Sequence, residues 1–434
     1  MEKNNALSIT FVRGARTVTG SNFIVEARAG AQVTRIMVDC GLLQGPAHCD
    51  PGNAAPFPYD AGDIDALFVT HAHADHIGLV PKFVKNGGAC PIYATAPTVA
   101  LAPAMLADTA HLIVHEAEKC RMVPAYTPED VAPAVAHMRA VEYGAPTTVG
   151  PVTIILNNAG HILGSATVLV EAFGTRILFT GDLGRTPAIL VKDLVVPSGP
   201  IDYLVTESVY GDRTHDTEAQ GMHVVSAAIA RAQEERGILL IPSFSLERTQ
   251  ILMQELRTSP LPVVMDSPLA EKVTEVYEKF PEYLKAPLAT YPMATTDTPP
   301  PKILLAGAGM STGGRIRDHE RQYLPDPTTT LLIVGYQVPG SLGRRLMDGA
   351  KEVMIDGAKV AVRATVMSTG GFSAHADRDD LLRFAEAVKP RQAFVVLGEM
   401  SAAAFLAQRI SGFLGIKTVI PQQGERYELD VRDH

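Results

Sequence analysis

The sequence predicts an α/β protein in which one strand–helix module is inserted into another. Three observations predict it. Apolar strand-like runs alternate with helical stretches along most of the chain. Polar clusters sit just past the ends of apolar strands. Between about 209 and 372, strand–glycine-loop units replace the strand pairs found on either side.

In order, residues 7–12 and 22–28 read as strands joined by the turn-rich GARTVTGSN, and RIMVDCG as a third strand that ends at Asp39. A loop follows from Gly45 to Gly62. ALFVT then runs straight into HAHADHIG, a buried strand that delivers a histidine-rich loop to a helix over 78–86. PIYAT is a short strand, and 98–143 reads as mainly helical. Strands return at VTIILNN, ATVLVEA, RILFTGD and YLVTES. Helices over 216–236 and 247–258 alternate with the strands ILLIPS and PVVMD, and a helical, proline-rich stretch reaches about 301. KILLAGAGMSTGGR and TLLIVGYQ are strand–glycine-loop units. VAVRATVM, the loop FSAHAD, a helix over 378–388, the strand QAFVVLG and a helix over 401–413 complete the chain. The expected division is 1–208 and 373–434 as one domain, with 209–372 inserted.

A chain of 434 residues exceeds one ordinary core, which agrees with two domains. The net charge of −9 weighs against nucleic-acid binding by bulk charge. An anionic substrate therefore needs a local cationic patch or bound metal. Cys40, Cys49, Cys90 and Cys120 show no C-x-x-C spacing, so neither a zinc finger nor a disulfide framework is expected. The N-terminus lacks a secretory layout, and no run of about 18 apolar residues stands out. A cytoplasmic protein with no membrane association is the expectation.

The strongest local signal is His71-Ala-His73-Ala-Asp75-His76. Four potential ligands within six residues suit Zn²⁺, which accepts imidazole and carboxylate donors. His71 and His73 alternate onto one side, for one metal, while Asp75 and His76 can reach a second. His161 and Asp182 also follow apolar strands, and the two oxygens of Asp182 could bridge two metals. Asp39, at another strand end, could orient a ligand histidine.

Asp39, the HAHADH run, His161 in AGHILGSA and Asp182 in TGDLGR resemble the four motifs of the metallo-β-lactamase superfamily. The resemblance implies an αββα sandwich with two Zn²⁺ ions at one edge. TESVYGDRTH with Glu207, PSFSLERTQ, VVMDSPLAEKVTEVY, KILLAGAGMSTGGRI, LIVGYQVPGSLGRRL and GGFSAHADRDDL with His375 are similar to the β-CASP nucleases, whose α/β β-CASP domain is inserted into the sandwich. That implies a zinc-dependent ribonuclease acting on single-stranded RNA through a metal-bound hydroxide. Asp75, His375 and Glu207 would be catalytic. Homodimers occur among such relatives.

Gly309, Gly313 and Gly314 with Ser311, Ser373, Arg248, Arg315 and Arg344 are the substrate-binding candidates. Backbone N–H groups in glycine loops can cradle phosphate, and guanidinium groups match its oxygens. A tight strand–helix turn and solvated surface charge are the structural alternatives. The resemblance also implies a late His-Gly-Glu whose histidine binds the second zinc; Leu397 stands there. This leaves a catalytically weak RNA-binding paralogue with one zinc, or a hydrolase of another ester, as competing readings.

Overall fold

A computed structural model of the chain describes residues 5–44, 49, 51–289, 293–338 and 340–432. Positions 45–48 and 50 of the expected loop, 290–292 of the proline-rich stretch, and Pro339 lie outside the described residues. The chain divides into two compact units, 1–214 with 375–434, and 215–374.

The first unit holds two seven-stranded sheets. One runs in the order β21 (Arg426–Leu429), β1 (Asn5–Arg13), β2 (Asn22–Ala29), β3 (Gln32–Val38), β4 (Ala66–Phe68), β5 (Ile92–Ala94), β6 (Met138–Ala140). The other runs β20 (Lys417–Val419), β19 (Gln392–Val395), β11 (Tyr203–Thr206), β10 (Thr175–Phe179), β9 (Ala166–Ala172), β8 (Val152–Asn158), β7 (Pro146–Val149). Apolar faces of both sheets meet in one cluster that includes Phe11, Phe23, Val168, Phe179 and Phe394. The Phe11 and Phe394 rings lie 5.0 Å apart across it. The outer face of the second sheet is covered by helices Arg378–Val388 and Met400–Leu414 through Leu381, Phe384, Leu406 and Ile410. Helices Val80–Lys85 and Ala96–Cys120 bury Phe83, Leu101 and Leu106 on the first sheet's side. The layers are therefore αββα. Strand ATVLVEA is nearly continuously apolar because both its faces are covered.

The second unit is a parallel five-stranded sheet in the order β13 (Val263–Asp266), β14 (Lys302–Ala306), β12 (Ile238–Pro242), β15 (Thr330–Val334), β18 (Thr365–Thr369). A hairpin of β16 (Glu352–Ile355) and β17 (Ala358–Ala361) joins it. The run VAVRATVM is divided between β17 of the hairpin and β18 of the five-stranded sheet. Only 98–120 and 131–136 of the expected helical stretch 98–143 are α-helix, and β6 lies near its end.

The cysteine expectation is corrected. Cys49 and Cys120 form a disulfide between residues 71 apart in sequence, with Cα atoms 5.3 Å apart. Spacing rules find local pairs, whereas here the fold carries a loop residue to the end of a long helix. Cys40 and Cys90 are free and buried. The helix Ala96–Cys120 is long and apolar enough to cross a membrane by length and composition, which no uninterrupted apolar run disclosed. Leu101, Leu106, Ala110 and Ile113 form its buried face.

Candidate metal centre

Most of the site residues lie just past a strand end, while Asp75 and His76 sit on the short helix Ala74–Ile77. Asp39 follows β3, His71 follows β4, His161 follows β8, Asp182 follows β10 and Glu207 follows β11. β3 and β4 are parallel, as are β10, β11 and β19, so their carboxyl ends open on one edge of the sandwich. Loops there can present side chains without breaking the ladders. The loop of Asp182 passes very close to that of His161. A Cβ on Gly184 would lie 1.8 Å from the Gly160 carbonyl oxygen, so only glycine fits.

His71, His73, His161 and Asp182 each offer a ligand atom within reach of a common point. His71 Nε2 is 3.0 Å from His73 Nδ1, and His161 Nε2 is 3.3 Å from it. Asp182 Oδ2 is 3.6 Å from His71 Nε2 and 3.7 Å from His161 Nε2. Ligands about 2.0–2.2 Å from a tetrahedral Zn²⁺ stand about 3.3–3.6 Å from one another, so this donor set fits the ion. Burial drives His71 well below the usual imidazole range, with the charge of His76 acting in the same direction. Burial also takes His73 down to about 3. Both rings are therefore neutral near pH 7, with lone pairs open to a cation.

Asp182 Oδ1 faces the other way, 3.3 Å from His76 Nε2. Asp75 Oδ2 lies 3.8 Å from the same nitrogen. The second donor group is thus Asp75, His76 and the shared Asp182. Burial works against charge on both His76 and Asp182. The carboxylates Asp182, Asp39 and Asp75 nevertheless raise His76 well above its ordinary range, and His76 in turn holds Asp182 well below the usual carboxylate range. Burial pushes Asp75 up.

Asp39 is fully buried beneath this group. Its Oδ2 is 2.7 Å from His76 Nδ1, and it accepts bonds from the Ser21 hydroxyl, the Thr70 N–H and the Thr70 hydroxyl. The His76 ring is thereby turned with Nε2 toward Asp182. Thr70 Oγ1 also lies 3.1 Å from His71 Nδ1. Ser21 and Thr70 were not among the sequence candidates. Thr70, immediately before the HAHADH run at a strand end, is the position where a search for ring-orienting hydroxyls could have found it.

His375 and Glu207 stand beside Asp182. His375 Nδ1 is 3.7 Å from Glu207 Oε2 and 3.9 Å from Asp182 Oδ2. Its ring packs 4.4 Å from that of His161. Glu207 is buried, and its Oε1 accepts a 2.6 Å bond from the Leu183 N–H. Burial and the neighbouring Asp182 push Glu207 up to about 7. For His375, burial opposes the charged form but Glu207 and Asp182 outweigh it and raise the ring above its ordinary value.

Leu397 joins the apolar cluster between the sheets instead of this donor set. Its φ of 46 lies in the left-handed region, which costs a leucine about 1–2 kcal/mol. Its N–H bonds the Gly14 carbonyl, and its carbonyl accepts from Ser208.

The substrate-binding candidates fall in the second unit, and most are engaged locally. Buried Ser311 bonds Glu320. Arg248 donates to the Val334 carbonyl at 2.8 Å. Arg344 pairs with Asp348. Arg315 bonds Asp266 with its side chain more than half exposed. Gly309 lies against the Phe244 ring, Gly314 closes the loop onto Gly307, and Gly313 faces open space. Ser373 is buried, its N–H bonded to the Gly370 carbonyl. The structure does not gather these eight residues around one point.

Residues 34–240 match the model of the metallo-beta-lactamase superfamily, 246–346 that of the Beta-Casp domain, and 359–421 that of the Zn-dependent metallo-hydrolase RNA specificity domain. Ribonuclease TTHA0252 of Thermus thermophilus is 34% identical over 395 residues, covering 85% of this chain and 88% of that protein. Transcription termination factor FttA of Methanocaldococcus jannaschii is 28% identical over 460 residues, covering 96% of this chain and 70% of that protein. A crystal structure of a protein of unknown function from Enterococcus faecalis shares the fold at 14% identity with a TM-score of 0.60, covering 98% of this chain and 100% of that one.

Proposed function

The chain belongs to the β-CASP branch of the metallo-β-lactamase superfamily, and from that premise we propose that it is a zinc-dependent ribonuclease acting on single-stranded RNA. The observation that carries the reading is the set of four donor atoms spaced for one tetrahedral ion, with Asp75 and His76 on the far side of a shared Asp182. Bound zinc supplies Lewis-acid polarisation of a phosphodiester and acidifies water toward neutrality. Asp75 orients the attacking water and accepts its proton. His375, at the donor set's edge and held by Glu207, protonates the departing 3′ oxygen. The product then carries a 5′ phosphate.

His71, His73, His161 and Asp182 would hold a first zinc. Asp75, His76 and Asp182 would hold a second with lower affinity, because Leu397 offers no fourth protein ligand. Leu397 also favours a second reading, an RNA-binding paralogue with one structural zinc. Incubating the protein with end-labelled single-stranded RNA, a small phosphodiester and a thioester, with added zinc or with chelator, separates them. Zinc-dependent RNA cleavage leaving 5′ phosphates is expected. RNA binding without cleavage would establish the paralogue, and preferential thioester hydrolysis would remove RNA as the substrate.

A further inference from the structure

The strongest unassigned feature lies at the carboxyl edge of the inserted sheet. The connection from β12 leads to β13 on one side of the sheet, whereas that from β14 crosses back past β12 to β15. Right-handed crossovers running in opposite directions put their helices on opposite faces, which opens a crevice between the loops after β12 and β14. Ligands bind at such switch points in open α/β sheets.

The loop after β12 begins Ser243-Phe244-Ser245, and the loop after β14 begins at Gly307. The Phe244 carbonyl accepts bonds from the Thr249 N–H at 3.2 Å and the Thr249 hydroxyl at 2.7 Å. The backbone is thus held firmly while the residue stays 38% exposed. One part of the ring lies on the backbone of Gly309, where a Cβ would stand 2.6 Å from Phe244 Cδ2. Any other residue at 309 would displace the ring. Beside it, Ser245 Oγ and Ser267 Oγ lie 3.1 Å apart next to Gly307. Arg315 bonds the carboxylate of Asp266, the residue before Ser267, and stays more than half exposed. A fixed aromatic face, two hydroxyls and a guanidinium are thus grouped at one switch point.

We propose that this edge is a nucleotide subsite for single-stranded RNA, where Phe244 stacks one base and the Ser245 and Ser267 hydroxyls with Arg315 receive the adjoining phosphate. It rests on the reading of the chain as an RNA enzyme. Stacking on an aromatic ring accepts any base, because every base has a π face. The hydroxyls and guanidinium supply the donors a phosphate needs. The subsite therefore gives affinity with little sequence preference.

The chain contains no tryptophan, so Phe244→Trp introduces a single reporter at the site. The full-length, zinc-loaded protein is titrated with a short single-stranded phosphorothioate RNA. Wild type and Phe244→Trp should bind with similar affinity, and the tryptophan emission should be quenched in step with binding. Phe244→Ala should bind about tenfold more weakly. If Phe244→Ala proves unfolded by circular dichroism, the quenching alone decides. RNA binding by wild type with unchanged affinity in folded Phe244→Ala, or with unquenched emission in Phe244→Trp at saturation, would overturn the subsite and leave the ribonuclease reading standing. Absence of RNA binding by wild type would overturn both.

Discussion

The metal end of the sandwich and the glycine-loop end of the insert were both marked by dense runs of chemically capable residues, yet they are built differently. At the first, donor atoms from three loops converge to within 4.8 Å of one another. At the second, Ser311, Arg248 and Arg344 are occupied by local partners. A metal demands lone pairs at fixed distances from one point, so its ligand set constrains sequence tightly. Phosphate can be met by any backbone N–H, hydroxyl or cation, so a count of glycines and arginines does not identify which of them touch it.

The comparison breaks most sharply at Asp182. Asp182→Ala should release the first zinc and lower RNA cleavage by about a thousandfold or more, since the metal's charge stabilisation amounts to several kcal/mol. Normal zinc content in that variant, measured by mass spectrometry of the purified protein, would show that the donors do not act as a set. The next effect is one step removed. Asp39→Ala frees the His76 ring and should weaken zinc binding about 10–100-fold in chelator competition, with the fold intact by circular dichroism. Unchanged affinity would reduce Asp39 to a packing role.

Glu207 gives a pH test in the metal-free protein. Its folded value near 7 exceeds the ordinary 4.5, so the folded state binds more protons between these values. Stability from this group is therefore present below pH 4.5 and is lost as pH rises through 7. In urea unfolding with chelator, Glu207→Gln should flatten that decline. An identical pH profile in wild type and variant would mean that Glu207 is already ionised in the fold. The smallest effect belongs to the insert. Arg344 pairs with Asp348 on the surface, so Arg344→Ala should cost less than about 1 kcal/mol and change RNA affinity little. A tenfold loss of affinity would make Arg344 an RNA contact and narrow the contrast between the two regions.

What could be read from the sequence follows the same division. The HAHADH run is contiguous, and its partners sit just past strongly apolar strands, so both the layers and the clustering of these donor side chains were legible. The strands Lys417–Val419 and Arg426–Leu429 were not, because they are short edge strands with exposed charged residues and no sustained alternation. The Cys49–Cys120 bridge joins residues that only the fold brings together. Phe244 lies within PSFSLERTQ, yet the sequence did not single it out from that segment. Its exposure and its seat on Gly309 depend on how two loops meet.

Leu397 bears most directly on the claim that one donor set is complete and the other lacks a ligand. Histidine tolerates left-handed backbone better than leucine, so Leu397→His is compatible with the local chain direction. The decisive measurement is zinc content per chain after dialysis, in wild type and in Leu397→His. One zinc in wild type and two in the variant, with faster RNA cleavage in the variant, is the expected result. Two zincs already in wild type, or no gain in the variant, would contradict it.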